Sequence, residues 1–194
     1  MAKVKWSADI AIPTDSGYTA QITEASFGPS KSSGNPMITI KSELCAPESV
    51  MVGDKEVSIA GVPLRALYFT TKVLDGNAVV EDKTANARER VFVSSDPDKP
   101  SLWEKLGLDG SKEDPENPNV KQLIGMKILV QCSSKEDAQR KTPNAEQIAK
   151  AKANKSRAEG DIMTHPVTGK KLVKFWPEID EVFAVAPSGT GSAY

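Results

Sequence analysis

Three short segments of this chain place lysine or arginine beside aromatic side chains. The members of these segments are Lys3, Lys5 and Trp6; Arg65, Tyr68, Phe69 and Lys72; and Lys170, Lys171, Lys174, Phe175 and Trp176. Bases of a single-stranded nucleic acid stack on aromatic rings, while its phosphates are held by a groove of cations. Each segment combines both kinds of side chain, so together they predict contacts to a single strand of nucleic acid.

Strand geometry decides which of these aromatic rings can reach a ligand. Alternate residues of a strand point to opposite faces, so Lys174 and Trp176 share a face while Phe175 points the other way. Trp176 is therefore the predicted stacking residue and Phe175 the predicted core residue. By the same rule Tyr68 and Phe69 point in opposite directions, and Tyr68 is the one chosen for the site. Packing in the core is the alternative for every one of these rings.

Further cations are expected to extend the binding groove. Lys31 lies in a polar loop between two strands, and Lys41 lies on the second of those strands. A basic run begins at Lys135, for which a solvated helix is the alternative interpretation. The full predicted nucleic-acid-binding set is Lys31, Lys41, Arg65, Tyr68, Lys72, Lys135, Arg140, Lys141, Lys174 and Trp176.

Composition restricts the classes of function. The 194 residues carry 25 Lys and Arg against 26 Asp and Glu, a formal net charge of −1, so any polyanion site must be a local patch. The two cysteines, Cys45 and Cys132, are predicted to be reduced core residues. With His165 as the sole histidine, an intramolecular structural zinc site is not expected, because such a site needs four nitrogen or sulfur ligands.

Catalysis finds little support in the residue pattern. His165 precedes a proline and is predicted to be a surface turn residue rather than a general base. Glu178, Asp180 and Glu181 have oxygen ligands for a metal, but a solvated turn between two strands is the competing interpretation. We expect no enzyme activity, no cofactor and no resident metal.

The elements that must position these residues are mostly strands. Alternating apolar residues predict an opening hairpin over 16–27 and 36–45, and a smaller hairpin around Gly53 and Asp54. Ser101 and Glu104 form a capping-box pattern, and Gly107 supplies a stop for a short helix. The remaining predicted elements are strands at 64–74, 91–93, 123–132, 172–176 and 182–185, a helix at 143–157 with Pro143 in its first position, and a disordered tail at 187–194.

This order predicts a mainly β fold. We expect a five-stranded antiparallel OB-fold barrel, with a short helix before strand 4 and a basic helical insertion at 135–171 before strand 5. Residues 1–186 would form this single domain. The first six residues are too short and too polar for a secretory signal or a membrane span, so a cytoplasmic location is expected.

Two parts of the chain resemble a known family. The Ser30-Lys31 and Gly34–Ile38 segments of the hairpin, followed by Glu43-Leu44, resemble bacteriophage single-stranded DNA-binding proteins with an OB fold. The segments Leu102–Leu108 and Leu123–Val130 are also similar to theirs. The resemblance covers 16–45 and 101–132 and is poor elsewhere. Many such proteins end in an acidic tail that recruits replication partners, whereas residues 186–194 contain no acid.

The resemblance implies a protein that binds single-stranded DNA without sequence preference in phage-type replication or recombination, inside the cytoplasm of a host cell. Its implied partners are single-stranded DNA, replication or recombination proteins and further copies of the chain, but no membrane. A virion or assembly protein that uses a barrel for protein contacts is the first alternative. A metal-dependent nuclease using the carboxylates near Glu178 is the second.

Overall fold

The computed structural model describes residues 3–31, 34–69, 74–75, 78–153 and 160–183. Lys72 and the predicted tail at 187–194 lie outside these residues. Among the described residues, the strands are β1 (Val4–Lys5), β2 (Asp15–Pro29), β3 (Pro36–Ala46), β4 (Ser49–Val52), β5 (Lys55–Ser58), β6 (Pro63–Phe69), β7 (Leu74–Asp75), β8 (Ala78–Val79), β9 (Lys127–Ala138) and β10 (Val173–Phe183). The helices are α1 (Glu81–Val91), α2 (Leu102–Lys105) and α3 (Ala145–Ala153), with 3₁₀ turns at Gly110–Lys112 and Val120–Leu123.

The predicted opening hairpin is confirmed as β2 and β3. Ala20 and Ile22 of β2 are buried together with Ile38 and Ile40 of β3, while Lys41 points outward. One residue of β2 is bulged between Ile22 and Glu24, which reverses the facing of the residues that follow. The alternation of apolar and polar residues therefore places one face of the hairpin on the core and leaves the other face exposed to solvent.

A five-stranded antiparallel sheet, in the order β10-β9-β2-β3-β6, forms the body of the fold. Because β9 returns after a long connection to lie beside β2, the strands β9-β2-β3-β6 have the 4-1-2-3 order of a Greek key. Residues of β6 and β10 come within 8 Å of each other by their Cα atoms. No ladder between these two end strands occurs in the described part of the chain, so a closed barrel is not found.

A smaller sheet lies beside this body. Its order is β1-β5-β4, and the predicted small hairpin is confirmed as β4 and β5 with Gly53 at a φ of 62°. The parallel pairing of β1 with β5 places Val4 opposite Val57. This pairing holds the start of the described chain against the domain and fixes where Trp6 lies.

The connection between β6 and β9 contributes aromatic side chains to the core. The rings of Phe92 and Trp103 have centroids 4.9 Å apart and planes inclined by 56°. The predicted capping box is present, since the Ser101 hydroxyl accepts a hydrogen bond from the Glu104 amide at 3.2 Å and the Glu104 carboxylate accepts from the Ser101 amide at 2.6 Å. These bonds satisfy two amides at the helix start and hold Trp103 fully buried.

The predicted strand at 91–93 is wrong. Val91 is the last residue of helix α1, and Phe92 is its C-cap. Alanine and arginine favour a helix here, but the helix begins after Val80 without a side-chain cap and lacks a broad apolar stripe. The usual sequence signals of a helix are therefore missing, although the helix forms.

The predicted break between two final strands is also wrong. β10 runs continuously from Val173 to Phe183, with a register shift between Ile179 and Glu181 instead of a turn. Pro177 does not interrupt it, because β10 is the last strand in the sheet order. Along its outer edge there is no neighbouring strand to which a backbone amide would have to donate, so a proline is tolerated. β9 begins at Lys127, later than the predicted start at residue 123, and reaches Ala138, beyond the predicted end at residue 132, so Lys135 lies in a strand.

The basic connection between β9 and β10 contains helix α3 and a hairpin-like segment. The helix begins at Ala145 rather than at Pro143, because the side chain and amide of Asn144 exchange hydrogen bonds with those of Gln147, both at 2.9 Å. Residues 154–157 of the predicted helix lie outside the described residues. His165 is an exposed turn residue, as predicted, and its Nδ1 accepts hydrogen bonds from the amides of Val167 and Thr168.

Cys132 is buried and Cys45 half-buried, and both are free thiols. Burial raises the pKa of Cys132 to about 12, with a smaller contribution from the nearby Asp180 carboxylate. Among the residues that the structure describes, no helix combines the length and apolar character needed to cross a membrane.

Candidate nucleic-acid interface

Trp176 is the centre of the candidate interface. It lies on β10, is 48% exposed, and borders three neighbouring concavities. A large ring that remains half in water has apolar area to offer a ligand, and its two faces can stack on a planar group. The sequence-based prediction that Trp176 and Lys174 share a face agrees with this geometry, because both side chains line one of the three concavities.

The largest of these concavities, here called the tryptophan groove, has a volume of about 540 Å³ and is lined by Trp6, Lys41, Arg65, Trp176 and Glu178 among others. Trp6 belongs to a segment that the sequence singled out, yet it was not in the predicted set. Its indole nitrogen donates a hydrogen bond to the Ile10 carbonyl at 2.9 Å, and its amide donates to Ser58 at 3.0 Å. The groove therefore has a tryptophan at two places on its wall.

Two of the predicted cations lie side by side in the tryptophan groove. Lys41 of β3 and Arg65 of β6 are direct partners in the ladder between these strands. The Lys41 Nζ atom is 2.8 Å from the Glu24 carboxylate, an exposed ion pair. Arg65 is exposed and has no ion-pair partner among the described residues. The guanidinium is thus free to bind a phosphate.

A second concavity of about 460 Å³, here called the insertion groove, lies next to Trp176 and is lined by Arg140, Lys141 and Lys174. The Lys141 ammonium is 4.0 Å from the Asp161 carboxylate, and the Arg140 guanidinium donates to the Gly160 carbonyl at 3.4 Å. Lys174 has no ion-pair partner in the described part of the chain. Three predicted cations are therefore gathered at this end.

Lys135 connects the two grooves. It lies directly opposite Trp176 in the β9–β10 ladder, and both residues line the third concavity. Its ammonium is 3.8 Å from the Glu178 carboxylate. Exposed ion pairs of this kind contribute little to stability, about 0–1 kcal/mol, so a phosphate can compete for the lysine at small cost.

Two predicted residues that the structure describes are not brought to Trp176. Tyr68 points to the opposite side of β6 from Arg65 and packs against the core, where burial raises the pKa of its hydroxyl to about 12. Lys31 is exposed at the tip of the β2–β3 hairpin, beyond the groove. The loop that carries it is closed by hydrogen bonds from the Ser30 amide to Asn35 and from the Gly34 amide to Ser30. Lys72 lies outside the described residues.

The carboxylates of β10 are engaged separately. Asp180 accepts a hydrogen bond from the Ser133 hydroxyl at 2.8 Å, and Glu181 is 3.4 Å from the Lys105 ammonium. Glu178 pairs with Lys135 instead. Across the described part of the chain, no three histidine, cysteine, aspartate or glutamate side chains are grouped closely enough to hold a metal ion.

Comparison with protein-family models gives no match, and no curated protein or solved structure is significantly similar to the chain.

Proposed function

We propose that this chain binds single-stranded DNA without sequence preference and protects it during phage-type replication or recombination. The observation that carries the proposal is the convergence of cations on Trp176. Arg65 and Lys41 line one concavity that Trp176 borders, and Lys174, Arg140 and Lys141 line another. Stacking on an aromatic face with flanking phosphate contacts is how single strands are held without reading their sequence.

The topology supports an OB fold as the scaffold for this function. In an OB fold, a partly open five-stranded Greek-key barrel, nucleic acids bind on the face of strands 2 and 3 and on the loops that connect strands 1 to 2 and 4 to 5. If the sheet strands are numbered one to five along the chain, Lys41 and Arg65 lie on strands 2 and 3. Lys31 lies in the first of those loops, and Arg140 and Lys141 lie in the second.

The charges around the grooves favour binding of single-stranded DNA with an affinity that decreases as the salt concentration rises. Lys41, Lys135 and Lys141 each have a carboxylate within 4.0 Å, whereas Arg65 and Lys174 have none among the described residues. A bound phosphate would replace those carboxylates as the partner of the lysines. Each phosphate neutralised on a single strand contributes a slope of about 0.7 in the dependence of log K on log salt.

Titration of a fluorescently labelled oligo(dT) at several salt concentrations tests the proposal. We expect binding at low salt with an affinity that falls steeply as salt rises, and equal affinities for oligonucleotides of different sequence. The matched comparison is an Arg65→Gln/Lys174→Gln variant against Lys55→Gln/Lys121→Gln, whose lysines are exposed and line none of the grooves. The first variant should lose about 1.4 of the slope, and the second should lose none.

An absence of oligonucleotide binding by the unaltered chain, even at low salt, would overturn the proposal. Light scattering on the same sample would then test the virion or assembly alternative, for which a concentration-dependent oligomer is expected. Equal salt slopes for both double variants would show that DNA binds elsewhere on the chain.

A further inference from the structure

Helix α1 packs on the core through Thr84 and Val91, which are buried, and directs a polar stripe at a cavity beside them. Positions i, i+3, i+4 and i+7 of a helix that packs on a sheet are usually apolar, because they share one face. In α1 the buried members of that face are Thr84 and Val91, whereas the adjoining stripe of Lys83, Asn86, Ala87 and Arg90 lines a cavity of about 380 Å³ between α1, β6 and β10. We call this cavity the α1 pocket.

The α1 pocket carries two cations and one carboxylate. Lys83 and Arg90 are exposed, and neither forms an ion pair with a described residue. The carboxylate, Asp180, already accepts a hydrogen bond from Ser133. The neighbouring concavity shares Arg90 and adds Lys105, whose ammonium pairs with Glu181. The α1 pocket therefore has one positive charge in excess, from Lys83 and Arg90 against Asp180.

Tyr68 lines the pocket opposite these cations. Its ring is packed against the core, and the Arg90 charge lies close enough to oppose the burial that raises the pKa of its hydroxyl to about 12. A phenol with this pKa stays protonated at neutral pH and can donate a hydrogen bond. The hydroxyl has no hydrogen-bond partner among the residues that the structure describes.

We propose that the α1 pocket is a second, separate site that binds the phosphate of a nucleotide, held by Lys83 and Arg90. The Asn86 amide and the Tyr68 hydroxyl supply hydrogen bonds to the same nucleotide. Charge-assisted hydrogen bonds from a guanidinium are well matched to phosphate oxygens. The nucleotide is either a unit of a bound DNA strand, in which case the inference rests on the proposed function, or a free nucleoside monophosphate.

The pocket is distinct from the interface around Trp176. Trp176 and Asp180 are four residues apart on β10, which corresponds to about 13 Å along a strand. Trp176 lines neither cavity on the α1 side, and neither Lys83 nor Arg90 lines the grooves. A ligand can therefore occupy either site alone.

Two titrations separate the sources of the nucleotide. Calorimetry with dTMP, and with inorganic phosphate as a reference, measures the free ligand. Oligo(dT) binding at several salt concentrations measures the strand. Both are made on the full chain, on Lys83→Gln/Arg90→Gln, and on the control Arg88→Gln/Lys121→Gln, whose side chains are exposed and line none of the concavities described above. Thermal unfolding of all three proteins checks that the variants are folded.

If the strand fills the pocket, Lys83→Gln/Arg90→Gln should reduce the salt slope of oligo(dT) binding by about 1.4 while the control leaves it unchanged. If a free nucleotide fills it, dTMP should bind the unaltered chain and the control, lose at least tenfold in affinity in the Lys83/Arg90 variant, and leave the salt slope unchanged. Failure of the chain to bind oligo(dT) with retained dTMP binding would remove the proposed function but keep this site. No dTMP binding together with equal salt slopes in all three proteins would overturn the inference.

Discussion

Lys41 on β3 and Arg65 on β6 are directly opposite each other in a ladder of the main sheet. Like charges in this relationship are unfavourable, and Glu24, the partner of Lys41 on the other side, supplies the neighbouring carboxylate. A pair of cations held together on an open face is an arrangement that a bound anion stabilises. If the proposed strand binds here, its phosphates would relieve this repulsion.

Replacement of Arg65 by glutamine should change stability and binding in opposite directions. Loss of the cation removes the repulsion with Lys41, so the free energy of unfolding should rise slightly, by about 0.2–0.5 kcal/mol. The affinity for oligo(dT) should fall, and the salt slope should decrease by about 0.7. Urea unfolding and oligonucleotide titration measure the two effects. Lys55→Gln, which replaces an exposed lysine at the start of β5, is the control and should alter neither.

Removal of the indole of Trp176 should weaken DNA binding at all salt concentrations. Stacking of a base on an aromatic ring contributes about 1–3 kcal/mol, so Trp176→Ala should lose at least fivefold in affinity without a change of salt slope. Trp176→Phe should recover most of this loss, because the phenyl ring still presents a face. Met51→Ala, which removes another exposed apolar side chain, should bind as the unaltered chain does. Equal affinities of Trp176→Ala and the control would rule out stacking at this site.

Gly110 should tolerate no side chain, whereas Gly28 should tolerate one. A Cβ atom on Gly110 would approach the Phe92 carbonyl carbon to 2.5 Å, which is far inside contact distance. On Gly28 it would meet no atom within 4 Å. We expect Gly110→Ala to lower the free energy of unfolding by about 3 kcal/mol or more and Gly28→Ala to change it by less than about 1 kcal/mol. Urea unfolding of the two variants measures this difference. Similar losses would mean that the 109–112 segment is not packed on Phe92.

Stability should decrease as the pH rises above about 10. Burial raises the pKa of Tyr18 to about 12, helped by the Asp15 carboxylate, while an unfolded tyrosine ionises near 10. Between these values the unfolded state binds fewer protons than the folded state, so the free energy of unfolding falls with increasing pH. Urea unfolding at pH 8, 10 and 11 measures the fall.

The Tyr18→Phe variant isolates the contribution of this hydroxyl. At neutral pH it should cost about 1 kcal/mol, because the hydroxyl donates a hydrogen bond to the Pro13 carbonyl at 2.8 Å. Above pH 10 its stability should fall less steeply than that of the unaltered chain. Part of the decrease of stability with pH should remain in this variant, because the pKa values of Tyr68 and Cys132 are also raised to about 12. If the stability of Tyr18→Phe falls with pH as steeply as that of the unaltered chain, Tyr18 ionises with its ordinary pKa in the folded protein.

Local chemistry explains which elements the sequence predicts. The alternation along β2 and β3 depends on neighbouring residues only, and so does the reciprocal capping of Ser101 and Glu104. Both were predicted. The pattern does not predict helix α1, because the helix has no side-chain cap and few apolar residues. It does not predict the continuity of β10, because the tolerance of Pro177 depends on its place at the end of the sheet.

The sequence by itself determined the hairpin, the capped helix and the types of side chain available for binding, because these depend on hydrogen bonds and alternation within short segments. The tertiary structure alone decided that Trp6, Arg65 and Trp176 line one groove and that Tyr68 does not. These residues are far apart along the chain, and their positions depend on which strands pair, in what register, and on which side of β6 each side chain points. Such long-range pairing is set by the burial of the whole core, which no short segment encodes.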